Sequence, residues 1–181
     1  MTEHTKDTAT LNTLIATLLD SIDGYTKAAD DASNPRFTER FRARARERQA
    51  AVGALQAAVA RLGGKPEDEG TLLASAHRGF LSLKEAVTGH DDAAIIAEVE
   101  RGEDFLKAKF ETAIAKVDLT PAARTAVEAA WSTVKSGHDE MSRLKHTLEG
   151  YEAGRDDAAA RKQEYAAEDR VTRAPGNNDL Y

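Results

Sequence analysis

The sequence predicts an all-α protein built as an antiparallel four-helix bundle, and three observations carry that expectation. Apolar residues recur at spacings of three and four along four long stretches, the period of one face of a helix. Two junctions, Asn34-Pro35 and Leu119-Thr120-Pro121, join those stretches in pairs, because Asn and Thr cap helix starts and Pro fits a first helical turn. Charged residues make up 31% of the chain and aromatics 6%, with Ala dominating the apolar class, so the helices have thin cores and solvated outer faces.

Residues 1–9 are polar and are expected to form a flexible N-terminus. The first helix is expected from about Thr10 to Ala32, where Leu11, Leu14, Ile15, Leu18, Leu19, Ile22, Tyr25 and Ala29 share a face. Gly24 inside it costs about 1 kcal/mol relative to Ala, which points to a close approach by another element beside Tyr25. The second helix, about Pro35 to Leu62, has the cleanest heptad: Phe37, Phe41, Ala45, Arg48, Val52, Leu55, Val59 and Leu62. Arg48 stands at a seam position there. Gly63 and Gly64 supply a left-handed stop, and KPEDEG comes next as a turn-rich connection.

About 28 residues separate the second and third long helices, and Leu72, Leu73, Ala76, Phe80, Leu83 and Val87 within them predict a short crossover helix closed by Gly89. The third helix lies in Asp91 to Val117, with Ile96, Val99, Leu106, Phe110, Ala113 and Val117 on one face. Glu103 falls in the gap of that stripe, so the spacing turns a carboxylate into the seam. The fourth helix is expected to run to about Glu149, with Val127, Trp131, Val134, His138, Met141, Lys145 and Leu148 on its inner face. Gly150 and Gly154 weaken helix beyond that point. The bundle is therefore expected over residues 10–149, and residues 150–181 as an extension, partly helical and then disordered. Two tight hairpins joined by one long crossover form the ferritin-like arrangement of the four-helix bundle.

The net charge of -6, from 25 Lys and Arg against 31 Asp and Glu, argues against bulk affinity for nucleic acid or an anionic membrane. With no Cys, disulfides, thiolate metal sites and thiol nucleophiles are excluded. No stretch approaches the ~20 apolar residues of a membrane span, and the first residues lack an apolar leader, so a cytoplasmic protein is expected. Arg36, Arg40, Arg42, Arg44, Arg46 and Arg48 make the start of the second helix basic. Alternate residues advance about 200° around a helix, so these arginines spread over the cylinder, and the expectation is a solvated, ion-paired face.

Several local patterns together resemble a bacterial family of four-helix-bundle proteins of unknown function within the ferritin-like superfamily. They are Asp23-Gly24-Tyr25, Leu62-Gly63-Gly64-Lys65-Pro66, His77-Arg78-Gly79-Phe80 with Leu83-Lys84, Ile95-Ile96 through Glu100-Arg101-Gly102-Glu103-Asp104, and Val134-Lys135 with His138-Asp139. The resemblance covers roughly residues 10–148. It implies the fold, a bacterial setting and no assigned activity, with a stress or housekeeping role as the working biological reading.

The superfamily is best known for paired iron or manganese ions held by one Glu on each of two helices and Glu-x-x-His on the other two. No Glu-x-x-His occurs here: Ala74, Val87, Lys135 and Arg143 stand three before His77, His90, His138 and His146, and His4 has only Met1. A reduced metal site can be assembled from Asp23, Glu100, Glu103 and His138, suited to iron, manganese or zinc, and on that reading the protein is a metal-handling protein or a metal-dependent oxidoreductase. Counting 19 residues either way from Leu119 makes Glu100 level with His138.

The plainer alternative is that Glu100 or Glu103 accepts a hydrogen bond from His138 and pairs with Lys135 or Arg48, which replace the metal, since buried carboxylates need cations of some kind. On that reading no cofactor is expected, and the protein is a non-catalytic bundle acting through protein contacts. The protein partner is not identified by the sequence. Self-association is expected, because Ala-rich seams bury little area and Leu72, Leu73 or Phe80 can remain for a second copy.

Overall fold

The computed structural model describes residues 2–70, 91–116 and 118–172. Among the described residues there are four helices and no strand: α1 (Thr2–Asp31), α2 (Pro35–Arg61), α3 (Asp92–Ile114) and α4 (Pro121–Thr172). The chain divides into two compact units, Met1–Lys145 and His146–Tyr181. The expected crossover helix, with Leu72, Leu73 and Phe80, lies outside the described residues.

Each junction obeys the local rules that predict it. Asn34 caps α2 by accepting from the Arg36 backbone N–H at 3.0 Å, with Pro35 in the first turn. At the other end Gly63 takes φ +77°, its N–H donates to Ala60 O, and Gly64 N–H donates to Val59 O at 3.0 Å. That pair of bonds is a Schellman stop, which needs the left-handed residue only Gly supplies cheaply. Asp91 caps α3 through Ala93 N–H at 2.9 Å. Beside it, Asp92 accepts from the backbone N–H groups of Ser33 and Asn34 at 2.8 and 3.1 Å, tying the α1–α2 turn to the start of α3.

These contacts fix the direction of every helix. Lys6 meets Asp118, Asp7 meets Thr120 and Lys116 reaches Thr10 at the end where α1 begins, while Asp92 meets Ser33 at the other. Helices α1 and α4 therefore run one way, and α2 and α3 the other. Residues 64–70 form a strap back along α1: Asn12 donates to Lys65 O and accepts from Glu67 N–H, both at 2.9 Å, and Gln56 holds Glu67 O at 2.8 Å.

Two boundaries differ from expectation. Helix α1 starts at Thr2, well before Thr10, and Asp7, on the segment expected to be flexible, is fully buried. Its carboxylate accepts from both the backbone N–H and the hydroxyl of Thr120, satisfying the start of α4. A polar residue that its neighbours leave without a role is a cap supplied to a distant helix. Helix α4 does not stop near Glu149 but continues for 52 residues in all. Two mid-helix glycines cost only about 1 kcal/mol each, and the Ala, Arg, Lys and Glu around them favour helix. Residues 151 and 153–163 are all exposed. None of the described helices is long and apolar enough to cross a membrane.

The apolar core of the first unit runs from Leu11, Val59 and Phe110 up to Leu18, Leu106 and Val134. A second buried group, Ala28, Phe41, Ile95, Ile96 and Met141, lies outside that cluster. Between the two sits a layer of polar side chains.

Candidate functional site

Four helices contribute to that layer. The seam position of Arg48 on α2 and the stripe gap at Glu103 on α3 both point inward, as the spacing requires, and both side chains are buried, at 0% and 1% exposure. Arg48 Nη2 donates to Glu103 Oε2 at 2.6 Å, and Nη1 donates to the Thr133 carbonyl of α4 at 2.9 Å. From α1, Ser21 Oγ donates to Glu103 Oε1 at 3.2 Å, and the Tyr25 ring centre lies 6.0 Å from the Arg48 guanidinium carbon. Gly137 of α4 closes the layer: a Cβ there would collide with Arg48 Nη2 and come within 3.0 Å of Glu103 Oε2. The glycine leaves the volume that the ion pair occupies.

The electrostatics follow from this burial. Loss of hydration raises the Glu103 pKa above its ordinary 4.5, and the charge and hydrogen bond of Arg48 oppose the rise without cancelling it. Tyr25 is raised well above 10 by burial first and by the Glu103 carboxylate second. Arg48 Nε is buried without a hydrogen-bond partner, and the Tyr25 hydroxyl, close enough to Glu103 to lower its pKa, makes no hydrogen bond of full geometry, so the layer is incompletely satisfied. An ion pair in such a setting contributes little net stability over an apolar pair, but losing one partner is costly.

The four candidate ligands are not brought together. Asp23 is exposed on α1. Glu103 is held by Arg48 and Ser21. Glu100, one turn away, accepts from Lys145 at 3.0 Å. His138 lies between two carboxylates, with Nε2 2.9 Å from Asp104 and Nδ1 3.1 Å from Asp139. Among the described residues, no group of three or more His, Asp and Glu side chains could hold a metal ion.

Two assignments change accordingly. His138 is level with Asp104 and not Glu100, because the α3–α4 link shifts the register by about one turn. Lys135 does not reach Glu100 or Glu103; its side chain is 57% exposed and pairs with Asp139 at 2.6 Å. The second cation of the layer is Lys145, whose seam position is legible in the sequence. Gly24, expected beside a close neighbour, has nothing within 4 Å of the place a Cβ would take; among the glycines within the described helices the close approach is at Gly137. Ser21 and Gly137 carry no sequence signal beyond their helical phase.

The arginines of α2 divide by face. Arg44 and Arg40 clasp Glu140 of α4, with Arg44 Nε at 2.8 Å. Burial pushes Glu140 up, but the two guanidinium groups hold its pKa below the ordinary value. Arg36, Arg40, Arg42 and Arg46 line, with Glu39 and Ala43, a surface hollow of about 640 Å³.

Comparison with known proteins adds a family and no activity. No curated protein matches the sequence. A family model described as a domain of unknown function, DUF2383, matches residues 6–116, which include Ser21, Tyr25, Arg48 and Glu103 and end before α4. That match spans more than half of the chain, and the protein belongs to this family.

Proposed function

We propose that the protein is a non-catalytic member of the ferritin-like class, in which a fixed guanidinium takes the place of metal at mid-bundle, and that it acts through protein contacts, including self-association. The observation that carries this reading is the buried Arg48–Glu103 pair, braced by Ser21, the Thr133 carbonyl and the space at Gly137. A carboxylate already neutralised at 2.6 Å is a poor ligand, and the neighbouring positive charge repels a divalent ion. The helix directions, with α1 and α4 opposed to α2 and α3, support the ferritin-like assignment. The proposal extends to a cytoplasmic role in bacterial stress or housekeeping.

The residues present do not suit the superfamily's paired-metal centre. Glu100, Glu103 and His138 are each engaged by other side chains, and Asp23 faces outward. Elemental analysis of the purified protein tests the reading: less than about 0.1 iron, manganese or zinc ion per chain is expected. A reproducible one or two ions per chain would make metal handling the leading function.

A further inference from the structure

The first half of α2 carries positive charge where a helix is least stable with it. Arg36 stands in the first turn and Arg40 in the second, near the end at which the helix dipole disfavours cations, and no acid occupies the first turn. Arg36 with Arg40, and Arg42 with Arg46, are like-charged pairs four residues apart, a spacing at which side chains repel. All four are exposed. Among the described residues Arg36 and Arg46 have no ion-pair partner, Arg42 approaches Asp30 only to 3.9 Å, and Arg40 shares Glu140 with Arg44. Neither helix stability nor pairing within the described residues accounts for Arg36 and Arg46.

Helical phase sorts the four arginines into two banks. At about 100° per residue, Arg36 and Arg40 lie on one side and Arg42 and Arg46 roughly 120° away, with Glu39 and Ala43 between them. These six residues line the hollow of about 640 Å³, and Arg36 and Arg46 are about 15 Å apart along the axis. A hollow of that volume suits a small molecule. A folded partner would need about 800 Å² of surface with an apolar centre, and Ala43 is the only apolar residue of this lining. A guanidinium fork donates two parallel hydrogen bonds to a phosphate, so each bank presents two forks. Glu39 weakens any anion lying on the floor, which puts the ligand's charges on the banks. A long polyanion running past the site meets Asp30 and Glu140 beside it and the net charge of -6 around it.

We infer that the hollow on the outward face of α2 binds a compact oligophosphate, free or as the phosphate chain of a nucleotide, held between Arg36 with Arg40 and Arg42 with Arg46. Such an anion neutralises both repelling pairs at once and meets the positive end of the α2 dipole. The site is separate from the Arg48–Glu103 pair, and neither depends on the other.

Isothermal titration calorimetry of the full-length chain with sodium tripolyphosphate and, separately, with ATP tests this. Both are expected to bind with a Kd of about 100 µM or tighter, weakened several-fold when salt is raised from ~50 to ~150 mM. Arg36→Ala and Arg46→Ala should each weaken binding about tenfold, and Glu39→Gln should tighten it about threefold. Without ligand, neither arginine variant should lower the melting temperature, because each removes a repelling cation, and this separates ligand binding from a structural role. Equal affinity for the two probes assigns recognition to the phosphate chain alone, and tighter binding of ATP adds a contact to the nucleoside. No binding of either up to ~1 mM, or binding that both arginine variants leave unchanged, would overturn the site. Tighter binding of a poly-glutamate peptide or of a single-stranded oligonucleotide than of tripolyphosphate would overturn the compact ligand, in favour of an acidic protein or a nucleic acid.

Discussion

Replacing Arg48 by Met gives the sharpest reading of the ionic layer. The substitution keeps the apolar stem and removes the guanidinium, so Glu103 remains buried at 1% exposure with only neutral donors beside it, Ser21 Oγ at 3.2 Å and the Tyr25 hydroxyl. Breaking one side of a fully buried pair costs about 3–5 kcal/mol. At about 2–4 °C per kcal/mol for a chain of this size, the melting temperature should fall by about 6–20 °C at pH 7. Adding Glu103→Leu removes the stranded charge, and the double variant should recover to within about 1 kcal/mol of the parent or exceed it. Lys135→Met serves as the contrast, since its exposed pairing with Asp139 should leave the melting temperature within about 1 °C. Chemical denaturation of the parent, the two single variants and the double variant measures the coupling in one cycle. An Arg48→Met loss under about 1 kcal/mol, or a double variant no better than the sum of its parts, would refute the idea that burial of an ion pair governs this layer.

The remaining expectations probe the same arrangement from other sides. Gly137→Ala should destabilise by about 1–3 kcal/mol despite the higher helix propensity of Ala, because the methyl would displace Arg48 Nη2. Gly102→Ala, on the open face of α3, should instead gain about 0.5–1 kcal/mol, and thermal melts compare the two. The raised Glu103 pKa means the folded protein holds that proton more tightly. Its contribution to stability is full below the ordinary 4.5 and is lost as pH rises through the folded value, so parent minus Glu103→Gln stability should grow as pH falls through that value toward 4.5. Glu140 has the opposite sign: its contribution is present above the ordinary value and disappears as pH falls below it, which urea titrations of Glu140→Gln would register. Deleting residues 151–181 should leave the melting temperature within about 2 °C, given the exposure of residues 151 and 153–163.

What the sequence showed and what it hid have distinct physical causes. Helical period and local chemistry are written in neighbouring residues, which is why the seam places of Arg48 and Glu103, the Asn34 cap and the Gly63 stop are readable from the chain alone. Contacts between elements are not so written. Asp7 reads as part of a frayed end because its partner, Thr120, belongs to another helix. The pairing of His138 depends on the register of a hairpin, and a one-turn shift moves it from Glu100 to Asp104. Lys135 and Arg48 look alike as candidate cations; a fraction of a helical turn separates a side chain in the seam from one in solvent. Gly137 is the least legible member of all, since the need for an absent side chain arises only when Arg48 and Glu103 arrive from two other helices.

The central claim is that a guanidinium replaces metal at mid-bundle, and calorimetry of the chelator-treated protein tests it most directly. The expected melting temperature is the same with and without added iron(II) or manganese(II) at ~1 mM. A bound ion would raise it: at 100 times the dissociation constant, binding to the folded state alone adds about 2.7 kcal/mol. A rise of several degrees on adding either metal, abolished by Glu103→Gln, would contradict the claim.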